Sequence, residues 1–166
     1  MAGSGKRHWK VAVWIVIAVA VVAAIVAAFF LWPSHADDSH LKMTAGSSTK
    51  FTTSEVNDLL EDTKQRLMGN GGCTLLTITY DEKESDKVIA QELEDEKEAP
   101  GYSSLGAAIK DHGKDRIAVA DAEYTCATDQ GQDGLAADNT PRLYYAYAPG
   151  AANTDPGNWL FIDADY

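Results

Sequence analysis

The chain has 166 residues, two cysteines and a formal net charge of −11, with 25 Asp and Glu against 14 Lys and Arg. Such an acidic balance repels phosphate backbones and anionic headgroups, which excludes nucleic acid as a partner. Two isolated cysteines with no CxxC spacing also argue against a zinc site or a dithiol redox pair.

Residues 1–10 form a basic cytoplasmic tail containing Lys6, Arg7 and Lys10. From Val11 to Trp32 the stretch VAVWIVIAVAVVAAIVAAFFLW has no charged side chain. As a helix it covers about 33 Å, against a hydrocarbon thickness of about 30 Å. A soluble helix needs a polar face and this one has none, so residues 11–32 read as a transmembrane helix. Trp9, Trp14 and Trp32 lie near its ends, where indoles favour the interface, and Pro33 stops it.

The bases before the span and Asp37 and Asp38 after it keep the N-terminus in the cytoplasm and export the remainder of the chain. The expectation is a retained, single-pass signal anchor in the cell membrane. The alternative is cleavage after Ala36, at Ser34-His35-Ala36, which would give a secreted protein. The apolar region is long for a cleaved signal, and Phe29, Phe30 and Trp32 crowd the exit site. Ala20, Ala24 and Ala28 make a small-xxx-small row through which two spans could pair as a weak homodimer.

Residues 33–50, PSHADDSHLKMTAGSSTK, are small, polar and aperiodic and read as a flexible linker with a root-mean-square reach of about 23 Å. Residues 51–166 then form one extracytoplasmic domain of ordinary size. Beyond the span there are 11 Lys and Arg and all 25 acids, a formal charge of −14 for the exported part. The first helix is expected from Thr53 to Met68. Thr52 and Glu55 make a capping box, and Phe51, Val56, Leu59, Leu60, Thr63 and Leu67 make an apolar stripe.

Cys73 to Tyr80 alternates as a strand, with Leu76, Ile78 and Tyr80 on one face and Thr77 and Thr79 on the other. Asp81 to Glu98 reads as a surface helix carrying Val88, Ile89 and Leu93. Its acidic run Glu92–Glu98 reads as a solvated face. Ser103 caps a short helix that ends at Gly113. Arg116 to Cys126 is a second strand, with Ala118, Ala120, Ala122, Tyr124 and Cys126 on one side. After a glycine-rich loop, LYYAYA and WLFIDADY form an antiparallel hairpin with a long connection. The sum is an α+β domain of about four mainly antiparallel strands with two or three helices.

Export directs the reading of the cysteines, because thiols outside the cytoplasm tend to be paired and Cys73 has only Cys126 as partner. A disulfide between them closes a loop of about 54 residues, worth about 4 kcal/mol on the chain-entropy account.

Catalytic signals are sparse. Asp121 and Glu123 alternate onto one strand face about 6.7 Å apart, within the range of a paired-carboxylate hydrolase, but a wet strand face shows the same pattern. His112, after Asp111 near a helix end, has no nucleophile elbow to serve. Asp129 and Asp133 resemble the start of a calcium loop without its bidentate glutamate, so they read as a turn-rich loop rather than a metal site. Tyr144, Tyr145, Tyr147, Trp159 and Phe161 concentrate in the terminal hairpin. An outward row of these rings is the binding candidate, and core packing is the alternative.

The functional expectation is a membrane-anchored, non-enzymatic extracytoplasmic module that binds a protein or envelope component and needs no cofactor. The alternatives are a small tethered or secreted hydrolase using acidic residues, and a structural or regulatory subunit of a membrane complex.

Overall fold

The computed structural model describes residues 36–69, 71–126, 138–151 and 157–166. The expected span at 11–32 lies outside these residues. Among the described residues no helix is long and apolar enough to cross a membrane.

The elements in chain order are β1 (Lys42–Ala45), α1 (Thr53–Leu67), β2 (Cys73–Tyr80), α2 (Glu82–Glu98) and α3 (Ser104–His112). A short 3-10 turn (Lys114–Arg116) leads into β3 (Ile117–Cys126), followed by β4 (Asp138–Asn139), β5 (Arg142–Tyr147) and β6 (Trp159–Asp165). The architecture is α+β. Five strands form one mixed sheet in the order β1-β2-β3-β5-β6, and the two-residue β4 pairs with β3. β1 runs parallel to β2, as does the isolated bridge Asp37↔Thr74, and the other strand pairings among the described residues are antiparallel.

The parallel strand departs from the sequence reading of 33–50 as a flexible linker. From Ala36 onward this stretch belongs to the folded body, which groups Ser34–Tyr166 into one compact unit. Small polar residues carry no periodicity signal. Here they pair through backbone groups, and all four β1 side chains point to solvent.

α1 forms where its caps and stripe require. Thr52 accepts from the Glu55 amide at 3.3 Å, and the Glu55 carboxylate accepts from the Thr52 amide at 2.6 Å. Val56, Leu59, Leu60, Thr63 and Leu67 are buried against one sheet face together with Phe51, Leu75, Ile78, Tyr80, Leu143, Tyr145 and Trp159. α2 and α3 cover part of the opposite face, where Ile89, Leu105 and Ile109 meet Ile117, Val119, Tyr144 and Ala146.

The phase expected for β2 changes part-way along the strand. Cys73 and Leu75 share the buried face with Ile78 and Tyr80, although strict alternation would separate them. A bulge between Leu75 and Thr77 inserts Leu76 as an extra residue and resets the alternation. Leu76 is therefore half-buried, and Leu75 takes the core place assigned to it.

Asp81 caps α2 through the amides of Lys83 and Glu84 at 2.9 and 3.1 Å. Buried Ser85 accepts from the Val119 amide at 3.0 Å. This satisfies a β3 donor beyond Tyr80↔Ala120, where the pairing with β2 stops and the chain turns into α2. Of the apolar group expected on α2, Ile89 is buried, Val88 is partly buried and Leu93 is exposed.

Part of the acidic run Glu92–Glu98 is structural rather than a solvated face. Glu92 accepts from the Ser103 hydroxyl, and Glu96 receives the Gly101 amide on both oxygens at 3.1 and 3.0 Å. These bonds fasten the turn between α2 and α3. The remaining charges include the exposed Lys97–Glu94 pair at 2.6 Å.

Cys73 and Cys126 sit directly opposite each other at the paired ends of β2 and β3, and they are joined by a disulfide. Both are buried in the core that α1 covers.

Candidate functional site

Among the described residues, α2 and α3 leave part of the sheet face opposite α1 uncovered. Because β3 puts its alanines on the α1 side, Asp121, Glu123 and Thr125 are turned to this open face. Thr44, Thr79, Asp121, Arg142 and Asp165 are successive cross-strand partners on β1, β2, β3, β5 and β6. Lys42, Thr77 and Glu123 form the neighbouring row. The result is a polar sheet surface of alternating hydroxyls, acids and bases.

Several groups in these rows have side-chain partners. The Arg142 Nε donates to Asp121 Oδ1 at 2.9 Å, with both side chains close to half exposed. That hydrogen bond raises the Arg142 pKa, against a smaller lowering by burial. The Thr77 hydroxyl lies 3.4 Å from Glu123 Oε2. The Tyr144 hydroxyl donates to Asp165, and burial followed by that bond pushes the Tyr144 pKa up. Asp121 and Glu123 are thus brought onto one face, each with its own donor. Chemically the surface offers hydrogen bonds and locally compensated charge. Arg142, the partner that decides the environment of Asp121, carries no local sequence signal, because only the β3–β5 register brings the two together.

His112 is the last residue of α3, half-buried, ahead of the 3-10 turn that precedes β3. A histidine there suits the negative end of the helix dipole. Asp129 and Asp133 lie outside the described residues. Among the described residues no group of three or more His, Cys, Asp or Glu side chains converges as a metal site.

The aromatic candidates do not form an outward row. Trp159 and Tyr145 are fully buried, Tyr144 is 6% exposed, and only Tyr147 and Phe161 are half-buried. Core packing takes their ring faces. Phe51 meets the Tyr80, Tyr147 and Trp159 rings edge-on at centroid distances of 6.1, 6.0 and 4.9 Å. The Trp159 indole N–H donates to the Glu55 carbonyl at 2.8 Å, which ties β6 to the first turn of α1. The Arg66 guanidinium stacks over Phe161 at 4.2 Å while its Nε bonds Asp62 at 2.8 Å. Thr63 Oγ1 donates to the Leu59 carbonyl at 2.9 Å and lies 3.0 Å from the Tyr145 hydroxyl, whose pKa burial raises.

A second polar constellation, absent from the sequence reading, is built on Glu82. Its carboxylate accepts from the Ser48 hydroxyl, the Thr49 amide at 2.7 Å, the Thr49 hydroxyl at 2.6 Å and the Lys50 amide at 3.2 Å. The Ser48 and Thr49 hydroxyls are the main causes holding the Glu82 pKa down at about 2. Lys50 also pairs with Asp86. Burial pushes the neighbouring Tyr80 phenol up to about 12. Every Glu82 oxygen is occupied by the chain itself, so this constellation fastens a loop rather than offering a site. The only sequence cue was the cluster Ser47-Ser48-Thr49, which the aperiodic composition of 33–50 concealed.

Comparison with protein-family models, with curated proteins and with solved structures finds no match to this chain.

Proposed function

We propose that the chain is a single-pass membrane protein whose folded body stands outside the cytoplasm and works as a non-enzymatic binding module at the cell envelope. The observation that carries the reading is the disulfide between Cys73 and Cys126, the two cysteines of the chain. Such bonds persist in oxidising compartments and are rare where glutathione keeps thiols reduced. Together with the uncharged stretch at 11–32 and its basic N-terminal flank, it supports export behind a retained anchor.

The position of Ala36 also favours retention. Its side chain is buried, and its amide donates to the Met68 carbonyl at 3.0 Å. Cleavage after Ala36 would discard both contributions. A protein or other envelope component is the partner class this reading names, and the open polar sheet face, with Asp121, Arg142 and Glu123, is the surface proposed to meet it.

The test is fractionation of cells expressing the full chain, with intact mass measured on the membrane fraction and thiols labelled after non-reducing denaturation. The expected result is the uncleaved mass in the membrane with no label. A soluble species beginning at Asp37 would remove the anchor, and two labels per chain would remove the oxidised compartment.

A further inference from the structure

Residues 36–45 lie along β2 in two short contacts. Asp37 bridges Thr74, donating to the Cys73 carbonyl and accepting from the Leu75 amide, both at 2.8 Å. The chain then turns, with the Leu41 amide on the Asp38 carbonyl at 3.0 Å, and rejoins the sheet as β1 opposite Thr77–Tyr80. All four β1 side chains are exposed. Apolar anchorage is limited to buried Ala36 and partly buried Leu41, supplemented by the Ala36 amide on the Met68 carbonyl at 3.0 Å and a Lys64–Asp38 ion pair at 2.7 Å. Backbone hydrogen bonds contribute about 1 kcal/mol each after exchange with water, and an accessible ion pair less than that.

Immediately beyond β1 the attachment becomes dense. The Gly46 amide donates to the Tyr80 carbonyl at 2.8 Å, in an approach so close that a Cβ on Gly46 would lie 3.0 Å from that oxygen. Ser48, Thr49 and Lys50 then converge on Glu82, and Phe51 enters the core. A weakly held segment therefore ends at a firmly held point.

From this contrast we propose that residues 36–45 form a detachable strap, which leaves β2 as a unit while residues 46–166 stay folded, with the hinge at Ala45-Gly46. What release accomplishes rests on the anchor reading above. It frees ten residues between anchor and body, up to about 35 Å of extended chain. It also uncovers the edge of β2. The anchored domain thus has a short, closed state and a long, open one.

Native-state amide exchange on the full chain in detergent micelles tests the strap. The Lys42 and Thr44 amides, which face β2, should exchange at least about 100-fold faster than those of Ala118–Ala122, because local opening precedes global unfolding. Equal rates in the two strands would overturn the proposal. Thr44→Pro supplies a second arm, with the exchange rates of β3 expected to stay within about twofold of the parent. Loss of protection throughout β2 and β3 in that variant would show β1 to be integral to the body and would equally overturn the strap. Failure of the anchor reading appears in fractionation and leaves these exchange rates unmoved, so the two failures are distinguishable.

Discussion

Removing the Glu82 carboxylate takes the common acceptor from Ser48, Thr49 and Lys50 at once. Glu82→Ala should lower stability by roughly 1–2 kcal/mol, read as a shift in the denaturant midpoint at unchanged slope. The pH dependence has a fixed sign. The folded-state pKa is depressed from an ordinary value near 4.5 to about 2, so the contribution is complete above about pH 4.5 and is lost as pH falls toward 2. The alanine variant should lose that part of the acid transition. At Gly106 a Cβ would lie 2.4 Å from the Glu96 carboxylate, which is itself committed to the Gly101 amide. Gly106→Ala should therefore cost roughly 1–3 kcal/mol through overpacking between α2 and α3, measured by thermal unfolding. A variant as stable as the parent would show that Glu96 moves freely.

Among the elements, the disulfide acts where β2 and β3 begin their pairing, at Cys73↔Cys126. Replacing both cysteines with serine should lower the unfolding free energy by about 2–4 kcal/mol, and reduction of the parent should reproduce the change. Helices and β3 were legible in the sequence because their signals are local: Thr52 with Glu55, Ser103 before Gly106, and alanines alternating with Ile117, Val119 and Asp121. The β2 bulge was not legible, since Leu75 and Leu76 are equally apolar and only the partner strand selects which one enters the core. β1 was hidden for a different reason. Its residues bury nothing, so its strand character comes from pairing alone, a long-range fact that no local pattern encodes.

At the scale of the whole molecule the same distinction separates the core from the surface. The aromatic cluster was visible as composition, but its burial depends on α1 lying over β5 and β6, with Trp159 bonded to Glu55. The pairing of Asp121 with Arg142 likewise depends on strand order. Sequence therefore located the carboxylates and left their neighbours undetermined, and it marked the cysteines but could not show that they stand directly opposite in adjacent strands. We propose that the oxidised, folded body is joined to a membrane anchor of fixed orientation. The most direct test is a pair of reporters fused after Tyr166 in the full chain, one active only outside the cytoplasm and one active only within it. Activity is expected from the first and none from the second, whereas the reverse pattern would overturn the proposed orientation.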